Sequence, residues 1–274
     1  MQKCSGRYRR IILRLCSAAI ILFGGSSVYA QQRPLLTEDA RLIPPGSVEL
    51  ETGFTYEDQA VYPLSGLEGT HLALLPSGVH FGLGDRAEFQ LTGTVQDYLK
   101  PADDDWHSDF GDLSLSTKMK IVGESHKVPI ISFRPTVILP NANQASGLGL
   151  NTTRFFASVL AGKTVGKSFL YGNIGFGIMD DPTIAGEQND VLTYGLAAIV
   201  PIAARFKLVG EINGVNNPRN SGPAPGSETR SQVRSGLQID AAGFRWDVGV
   251  LAGLTSVDPR IGVTFGLTKR IVFK

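Results

Sequence analysis

The stretch VELETGFTYE, residues 48–57, alternates between two kinds of side chain without a break. Apolar and aromatic side chains, with one threonine, occupy the even-numbered positions, and the odd-numbered positions carry glutamate, glycine and threonine. A period of two residues predicts a β-strand with one apolar and one polar face. The same alternation returns about a dozen times before the C-terminus, so a repeated strand pattern organises the chain.

Residues 1–30 precede this pattern and have the composition of a secretory signal peptide. Five basic residues lead into an apolar stretch at 15–23, and Val28-Tyr29-Ala30 is a suitable cleavage site. A membrane-spanning helix needs ~20 apolar residues, about twice the number available here. We therefore expect cleavage near Ala30, a short periplasmic lead at 31–45, and one strand-rich domain over 46–274.

Cleavage would change the charge and the cysteine content of the mature chain. It would leave 21 basic and 25 acidic residues, so the formal charge would fall from +1 to −4. A weakly acidic chain lacks the basic stripe of a nucleic-acid-binding protein. Both cysteines, Cys4 and Cys16, would be lost with the signal peptide, which excludes disulfides and thiol chemistry. We find no phosphate-binding loop and no cofactor motif, so no cofactor is predicted.

The mature sequence predicts an all-β fold, a transmembrane antiparallel up-and-down β-barrel of about 12 strands. No apolar run in it is long enough for a spanning helix, and barrels cross the membrane with short alternating segments instead. The polar face of nearly every strand carries charge and would line the lumen. The faces of the strands near 169–202 remain unassigned, because both are apolar and glycine-rich. The predicted strands are 48–57, 72–83, 87–96, 112–121, 131–139, 152–163, 169–179, 191–202, 206–213, 230–240, 244–250 and 260–268.

The connections fall into two length classes, as expected for short periplasmic turns and longer extracellular loops. Longer links are predicted at 58–70, 99–109, 141–151, 180–190 and 216–229. A soluble β-sandwich would also explain the alternation, but the even strand count and the two loop classes favour the barrel. Four aromatic residues near the short turns are predicted to form one girdle at the inner interface: Phe169, Phe206, Phe244 and Trp246.

A barrel of about 12 strands is intermediate in width between a narrow barrel filled by side chains and a wide barrel with a water channel. Its inward charges carry both signs, so they could pair and plug the lumen or could set solute selectivity. Arg134, Arg154 and Arg234 are the foremost selectivity candidates. The other lumen candidates are Lys118, Lys120, Glu88, Asp112, Glu211 and Arg245.

Several short motifs resemble a known family. RPLLTEDA at 33–40, Pro45-Gly46 and ELETG at 49–53 resemble the opening of a family of outer-membrane transporters labelled with the meta-cleavage pathway of phenol degradation. GDLSLSTK at 111–118 is similar to a strand of that family, and Leu139-Pro140 with the glycines of 147–149 is similar to its mid-barrel hairpin. The resemblance implies an outer-membrane barrel that moves small molecules, aromatic or hydrophobic ones among them. It implies no catalytic residues.

Three classes of function stay open from the sequence. A transporter or diffusion channel in the outer membrane is favoured, with membrane lipid, a small solute and the barrel-assembly machinery as partners. A non-conducting barrel acting in adhesion or structure is the first alternative. The sequence leaves the solute, the state of the lumen and the oligomeric state undetermined.

A barrel hydrolase is the less favoured alternative, and its best candidate is the stretch DDDWHS at 103–108. This stretch brings carboxylates, an imidazole and a hydroxyl close in sequence, but a catalytic site usually draws these groups from separate segments. A solvated acidic loop is the preferred interpretation. We therefore predict no enzyme activity and no metal site, with Asp103, Asp104 and Asp105 as weak metal candidates only.

Overall fold

A computed structural model describes residues 33–219 and 222–273. The predicted signal peptide lies outside the described residues. A 3₁₀ turn at Gln144–Ser146 is a helical element of the described chain, which contains no helix long and apolar enough to cross a membrane. The strands are β1 (Ser47–Tyr62), β2 (Leu67–Gly82), β3 (Ala87–Pro101), β4 (His107–Asp109), β5 (Leu113–Val122), β6 (Ile130–Leu139), β7 (Arg154–Val165), β8 (Ser168–Asp180), β9 (Gln188–Ala203), β10 (Phe206–Asn216), β11 (Arg230–Ala241), β12 (Phe244–Gly253) and β13 (Ile261–Val272).

The sheet closes on itself, which confirms the predicted barrel. Consecutive strands pair antiparallel from β5 to β13, β13 pairs with β1, and β1, β2 and β3 complete the ring to β5. The three-residue β4 pairs with β3 beyond the end of the β3–β5 ladder, so it extends that edge and is not a thirteenth wall strand. Twelve antiparallel strands therefore form the wall, and closure leaves no free edge to aggregate.

The two faces of the wall differ as the alternation predicts. Odd-numbered side chains of β1, such as Glu49 and Glu51, are buried inside, whereas Leu50, Phe54 and Tyr56 are exposed outside. The same division recurs in β12, where Arg245 and Asp247 are buried while Val248 and Val250 are exposed. An apolar outer surface on a closed barrel is suited to lipid contact, because closure lets neighbouring strands pair all the way around the wall.

Ile174, at the middle of β8, provides a test of this lipid contact because its side chain is among the most exposed of the wall. Ile174→Arg should lower the free energy of unfolding by about 2–4 kcal/mol, the usual cost of a cation on the lipid face at the bilayer midplane. Urea unfolding in lipid vesicles, followed by tryptophan fluorescence, measures this change. Ile184→Arg, in the exposed loop after β8, is the matched control and should have little effect. Equal losses in both variants would contradict membrane burial of β8.

The faces of β8 and β9, which the sequence left unassigned, are now defined. Odd-numbered residues point inward in both strands, including the buried Phe169, Tyr171 and Val191. The inner wall is therefore apolar in this region, which explains the absence of alternation there. Phe169 is buried inside the barrel. The prediction that it belongs to a lipid-facing aromatic girdle is therefore wrong.

The two ends of the barrel differ in their connections. Two to seven residues join the strands at one end, which we call the short-turn end, and both ends of the wall sequence, Ser47 and Val272, lie there. The long-loop end carries the links 102–112, 140–153, 181–187, 217–229 and 254–260. The predicted long loop at 58–70 is wrong, because β1 and β2 continue to a tight turn at residues 63–66.

The prediction that residues 31–45 form a periplasmic lead is also wrong for the described part, 33–45. This part, which we call the inner segment, lies within the barrel. The side chains of Leu35, Asp39 and Ile43 are almost fully buried there. The polar inner wall supplies the partners that the segment would otherwise find in water, so burial leaves its charges and many of its backbone groups bonded.

Candidate functional site

The inner segment is anchored first by carboxylate contacts with β3 and β5. Lys118 donates hydrogen bonds to Glu38 Oε1 at 2.7 Å and to the Asp39 carbonyl at 3.0 Å. Glu88 accepts a 2.8 Å hydrogen bond from the backbone N–H of Ile43. Gln90 also donates to Glu38, at 2.9 Å. All of these side chains are buried, so each charge is compensated within the lumen, as buried charges require.

The opposite wall holds the segment through Glu211 of β10. One carboxylate oxygen accepts the backbone N–H of Leu36 at 2.8 Å, and the other accepts that of Thr37 at 2.7 Å. The same carboxylate lies 3.8 Å from Arg234 on β11. A side chain that accepts two consecutive backbone N–H groups fixes the direction of the chain at this point.

Further contacts fix the beginning of the segment. Gln238 on β11 donates to the Arg33 carbonyl at 2.9 Å. Arg33 itself donates to the Pro76 carbonyl and to Thr264 Oγ1, both at 3.1 Å. The segment therefore extends across the lumen, from strands β3 and β5 to strands β10, β11 and β13.

Apolar contacts hold the other side of the segment. Leu35 and Ala40 belong to one buried cluster with the inward side chains of β6 to β10. The guanidinium of Arg41 lies 3.7 Å from the ring centre of Phe169 and pairs with Asp39. The segment therefore places Glu38 against polar wall residues, and Leu35 and Ala40 against the apolar part of the wall. Its wall partners in the cluster are Ile130, Leu160, Phe169, Tyr171, Ala197, Ile199 and Val209.

Glycines on the inner wall make room for the segment. A Cβ atom at Gly195 would lie 2.5 Å from Thr37 Oγ1, and one at Gly249 would lie 2.9 Å from Pro34 Cβ. Such separations are shorter than real side chains permit, so any larger residue at these positions would displace the segment. Glycine in a strand often marks a place where another backbone approaches closely.

Above the segment, toward the long-loop end, lies a cavity of about 450 Å³. Leu36 of the inner segment contributes to its floor. Residues 147–150 reach over it, where Ser65 donates a 2.8 Å hydrogen bond to the Gly147 carbonyl and Gly226 packs against Leu150. Its polar and charged lining residues are Glu57, His71, Asp112, Arg154, Arg230, Gln232 and Arg234.

The three foremost selectivity candidates occupy different places. Arg134 donates to Gln90 at 2.8 Å and lies 3.8 Å from Glu38, so it belongs to the surroundings of the inner segment. Arg154 and Arg234 both line the cavity, where Arg154 pairs with Asp112. The structure thus divides these three arginines between two sites.

The remaining lumen candidates divide in a similar way. Lys118, Glu88 and Glu211 bind the inner segment directly, as described above. Arg245 instead stabilises the wall, pairing with Glu51 at 2.9 Å and bonding Thr268 at 2.7 Å. The half-buried Lys120 forms no ion pair with any described residue.

The loop stretch 103–108 does not assemble a catalytic arrangement. His107 Nδ1 contacts the Ser146 carbonyl at 2.8 Å, and Nε2 contacts Asp104 at 3.1 Å, so neither ring nitrogen contacts a hydroxyl. The carbonyl contact and then the carboxylate contact raise the pKa of His107 above its usual range. Over residues 33–219 and 222–273, no group of His, Cys, Asp and Glu side chains could hold a metal ion, and Asp103, Asp104 and Asp105 form no such group.

Sequence reasoning missed the most important site residues, Glu38 and Asp39 of the inner segment. The available signal was electrostatic. Lys118 and Lys120 stand two residues apart on a face predicted to be buried, and buried cations require nearby carboxylates. Glu38-Asp39 is an acidic pair just before the first strand, and it could have been predicted to supply these carboxylates.

Comparison with known proteins places the fold among outer-membrane barrels. No protein-family model and no curated protein matches the chain. The structure is similar to an outer membrane channel from Pseudomonas putida F1, with a TM-score of 0.64 and 13% identity over 85% of this chain and 98% of that one. It is also similar to the NanC porin, with a TM-score of 0.51 and 9% identity over 83% of this chain and 100% of the porin. At these identities, the likeness shows the fold alone, a closed β-barrel of the outer-membrane type.

Proposed function

We propose that this protein is an outer-membrane channel or transporter for small molecules, and that its inner segment closes the lumen. The position of residues 33–45 inside a continuous barrel wall is the observation that carries the proposal. The fold shared with an outer membrane channel and with a porin supports it.

The way in which the segment is held supports a closure that can open. The segment adds no strand to the sheet, so it could leave without breaking any wall ladder. Many of its contacts are polar, and water can replace such hydrogen bonds once the lumen fills. The open and closed states would then differ by a few kcal/mol, which allows a population shift between them.

The finer assignment to small aromatic or hydrophobic solutes is part of the same proposal. The resemblance of 33–53 and 111–118 to the transporters labelled with phenol degradation motivates it, and the pathway itself stays a prediction. The apolar cluster around Phe169 and Tyr171 would give an opened lumen one apolar side. Such a surface favours solutes with an apolar body over purely hydrophilic ones.

Gly195→Val provides the test, because its Cβ would collide with Thr37 and displace the inner segment. We expect the open probability in planar-bilayer recordings to rise at least about tenfold over the wild type, which corresponds to a shift of ~1.4 kcal/mol. Gly210→Val on the neighbouring β10 is the matched control. A Cβ there has 3.6 Å to its nearest atom, and Gly210 alternates with the inward-facing Val209 and Glu211.

The recordings must be paired with a check of folding, such as heat-dependent migration on gels. Unchanged recordings for a folded Gly195→Val barrel would contradict closure by the inner segment. If both glycine variants raised conductance equally, the effect would reflect a general loosening of the wall.

A further inference from the structure

The cavity above the inner segment has an apolar part formed by three regions of the chain. Leu36 comes from the inner segment, Val61 and Tyr62 come from the end of β1, and Leu148 and Leu150 come from the loop above. Its volume of about 450 Å³ is within the range of small-molecule binding sites. A compact apolar group would fit there and would displace water from apolar surface.

The carboxylates that face this cavity are already bonded to the protein. Glu57 Oε2 lies 2.9 Å from Nδ1 of His71, and the other ring nitrogen of His71 lies 3.0 Å from Asp97. Asp112 accepts the backbone N–H of Ala142 at 3.1 Å and also that of Asn141, in addition to pairing with Arg154. Each of these acids therefore already has a partner within the protein.

Two arginines at the same cavity have unused capacity. Arg230 donates a 3.4 Å hydrogen bond to the Val61 carbonyl and forms no ion pair with a described residue. The Arg234 side chain is 9% exposed, and its Nη2 donates a 3.1 Å hydrogen bond to Gln232 Oε1. Its Nε is buried without a hydrogen-bond partner, 3.8 Å from Glu211. Both residues project inward from β11, with Gln232 between them on the same face. A guanidinium offers five N–H donors, so each of these arginines can donate hydrogen bonds to a further anionic partner.

We propose that this cavity binds a monocarboxylate with a compact apolar body, with its carboxylate at Arg230 and Arg234 and its body against Leu36, Tyr62 and Leu148. As a solute assignment this rests on the proposed channel function, although binding itself needs no conduction. Inorganic anions would satisfy the arginines but leave the apolar part empty. Neutral apolar molecules would leave the buried Arg234 Nε without an acceptor, at the usual cost of an unpaired polar group.

Isothermal titration of the full mature chain in detergent tests the proposal with three probes of similar size. Benzoate and hexanoate supply the carboxylate on an aromatic and an aliphatic body, and benzamide replaces the carboxylate with a neutral amide. We expect saturable binding of benzoate or hexanoate with a dissociation constant below about 1 mM, and binding of benzamide at least about tenfold weaker. Absence of carboxylate binding, or equal binding of benzoate and benzamide, would overturn the proposal.

Arg230→Gln and Arg234→Gln should each weaken benzoate binding about tenfold or more, because each removes charge-assisted hydrogen bonds. Arg230→Lys keeps the charge but loses the forked geometry and should have an intermediate effect. Arg219→Gln, in an exposed pair with Glu187 outside the cavity, is the control and should bind like the wild type. Unchanged affinity in a folded Arg230→Gln variant would overturn the site.

The outcome can be separated from that of the proposed function. Benzoate binding by the full chain, together with a deletion variant that stays silent, would support the site and refute the channel. A channel that opens on that deletion while the full chain ignores benzoate would support the channel and refute the site.

Discussion

Deletion of residues 33–43 should turn a mostly closed barrel into a continuously conducting one. The deletion removes charge-assisted hydrogen bonds to Glu211, Glu88 and Lys118, each typically about 1.5–3 kcal/mol. It keeps the turn at residues 44–46, where the Pro44 carbonyl accepts the Ser47 N–H and the Gly46 N–H donates to the Gly82 carbonyl. We expect the time-averaged conductance in planar bilayers to rise at least about 100-fold.

The barrel itself should survive this deletion. Its wall ladders lie outside the deleted range, and the charges that lose their partners would face water in an open lumen. A synthetic peptide with the sequence of residues 33–45, added on the short-turn side, should restore the block. A folded deletion barrel that remains silent would refute closure by the inner segment and would favour a structural or adhesive role.

The second large effect concerns the wall. Arg245→Met should lower the free energy of unfolding by about 3–5 kcal/mol, because it removes the nearest cation from the buried Glu51 carboxylate. His80 lies 3.8 Å from the same carboxylate and compensates it only in part. Urea unfolding in detergent, followed by tryptophan fluorescence, measures the change.

A double variant separates the cost of an isolated charge from the value of the pair. Arg245→Met combined with Glu51→Gln removes both charges and should recover much of the lost stability. Arg219→Met removes one partner of an exposed pair and should change stability by less than about 1 kcal/mol. Equal losses for Arg245→Met and Arg219→Met would show that the Arg245 pair does not stabilise the wall.

The wall could be predicted from the sequence because alternation is a local signal. The faces of β1, β12 and β13 agree with the predicted division of polar and apolar residues. Prediction failed where the local signal was absent or ambiguous. Inward Tyr171 and Ala197 belong to the buried cluster that includes Leu35, and the period of two does not indicate this cluster.

The inward charges were predicted as residues, but their roles were not. Arg134, Arg154 and Arg234 share one sequence signature, an arginine on a polar strand face. The structure separates them, because Arg134 lies beside Glu38 whereas Arg154 and Arg234 line the cavity. Which acid each arginine meets depends on the curvature of the barrel and on the inner segment, and neither is encoded in the strand itself.

The sequence by itself determined a closed twelve-stranded barrel with an apolar outside and a charged inside. It could do so because alternation and loop length are local features that short stretches of sequence display. Only the tertiary structure decided that residues 33–45 lie inside this barrel. Glu38 meets Lys118 across 80 positions of sequence, and Thr37 meets Glu211 across 174. Such contacts exist only after the wall has closed, since closure alone brings β5 and β10 to opposite sides of one segment.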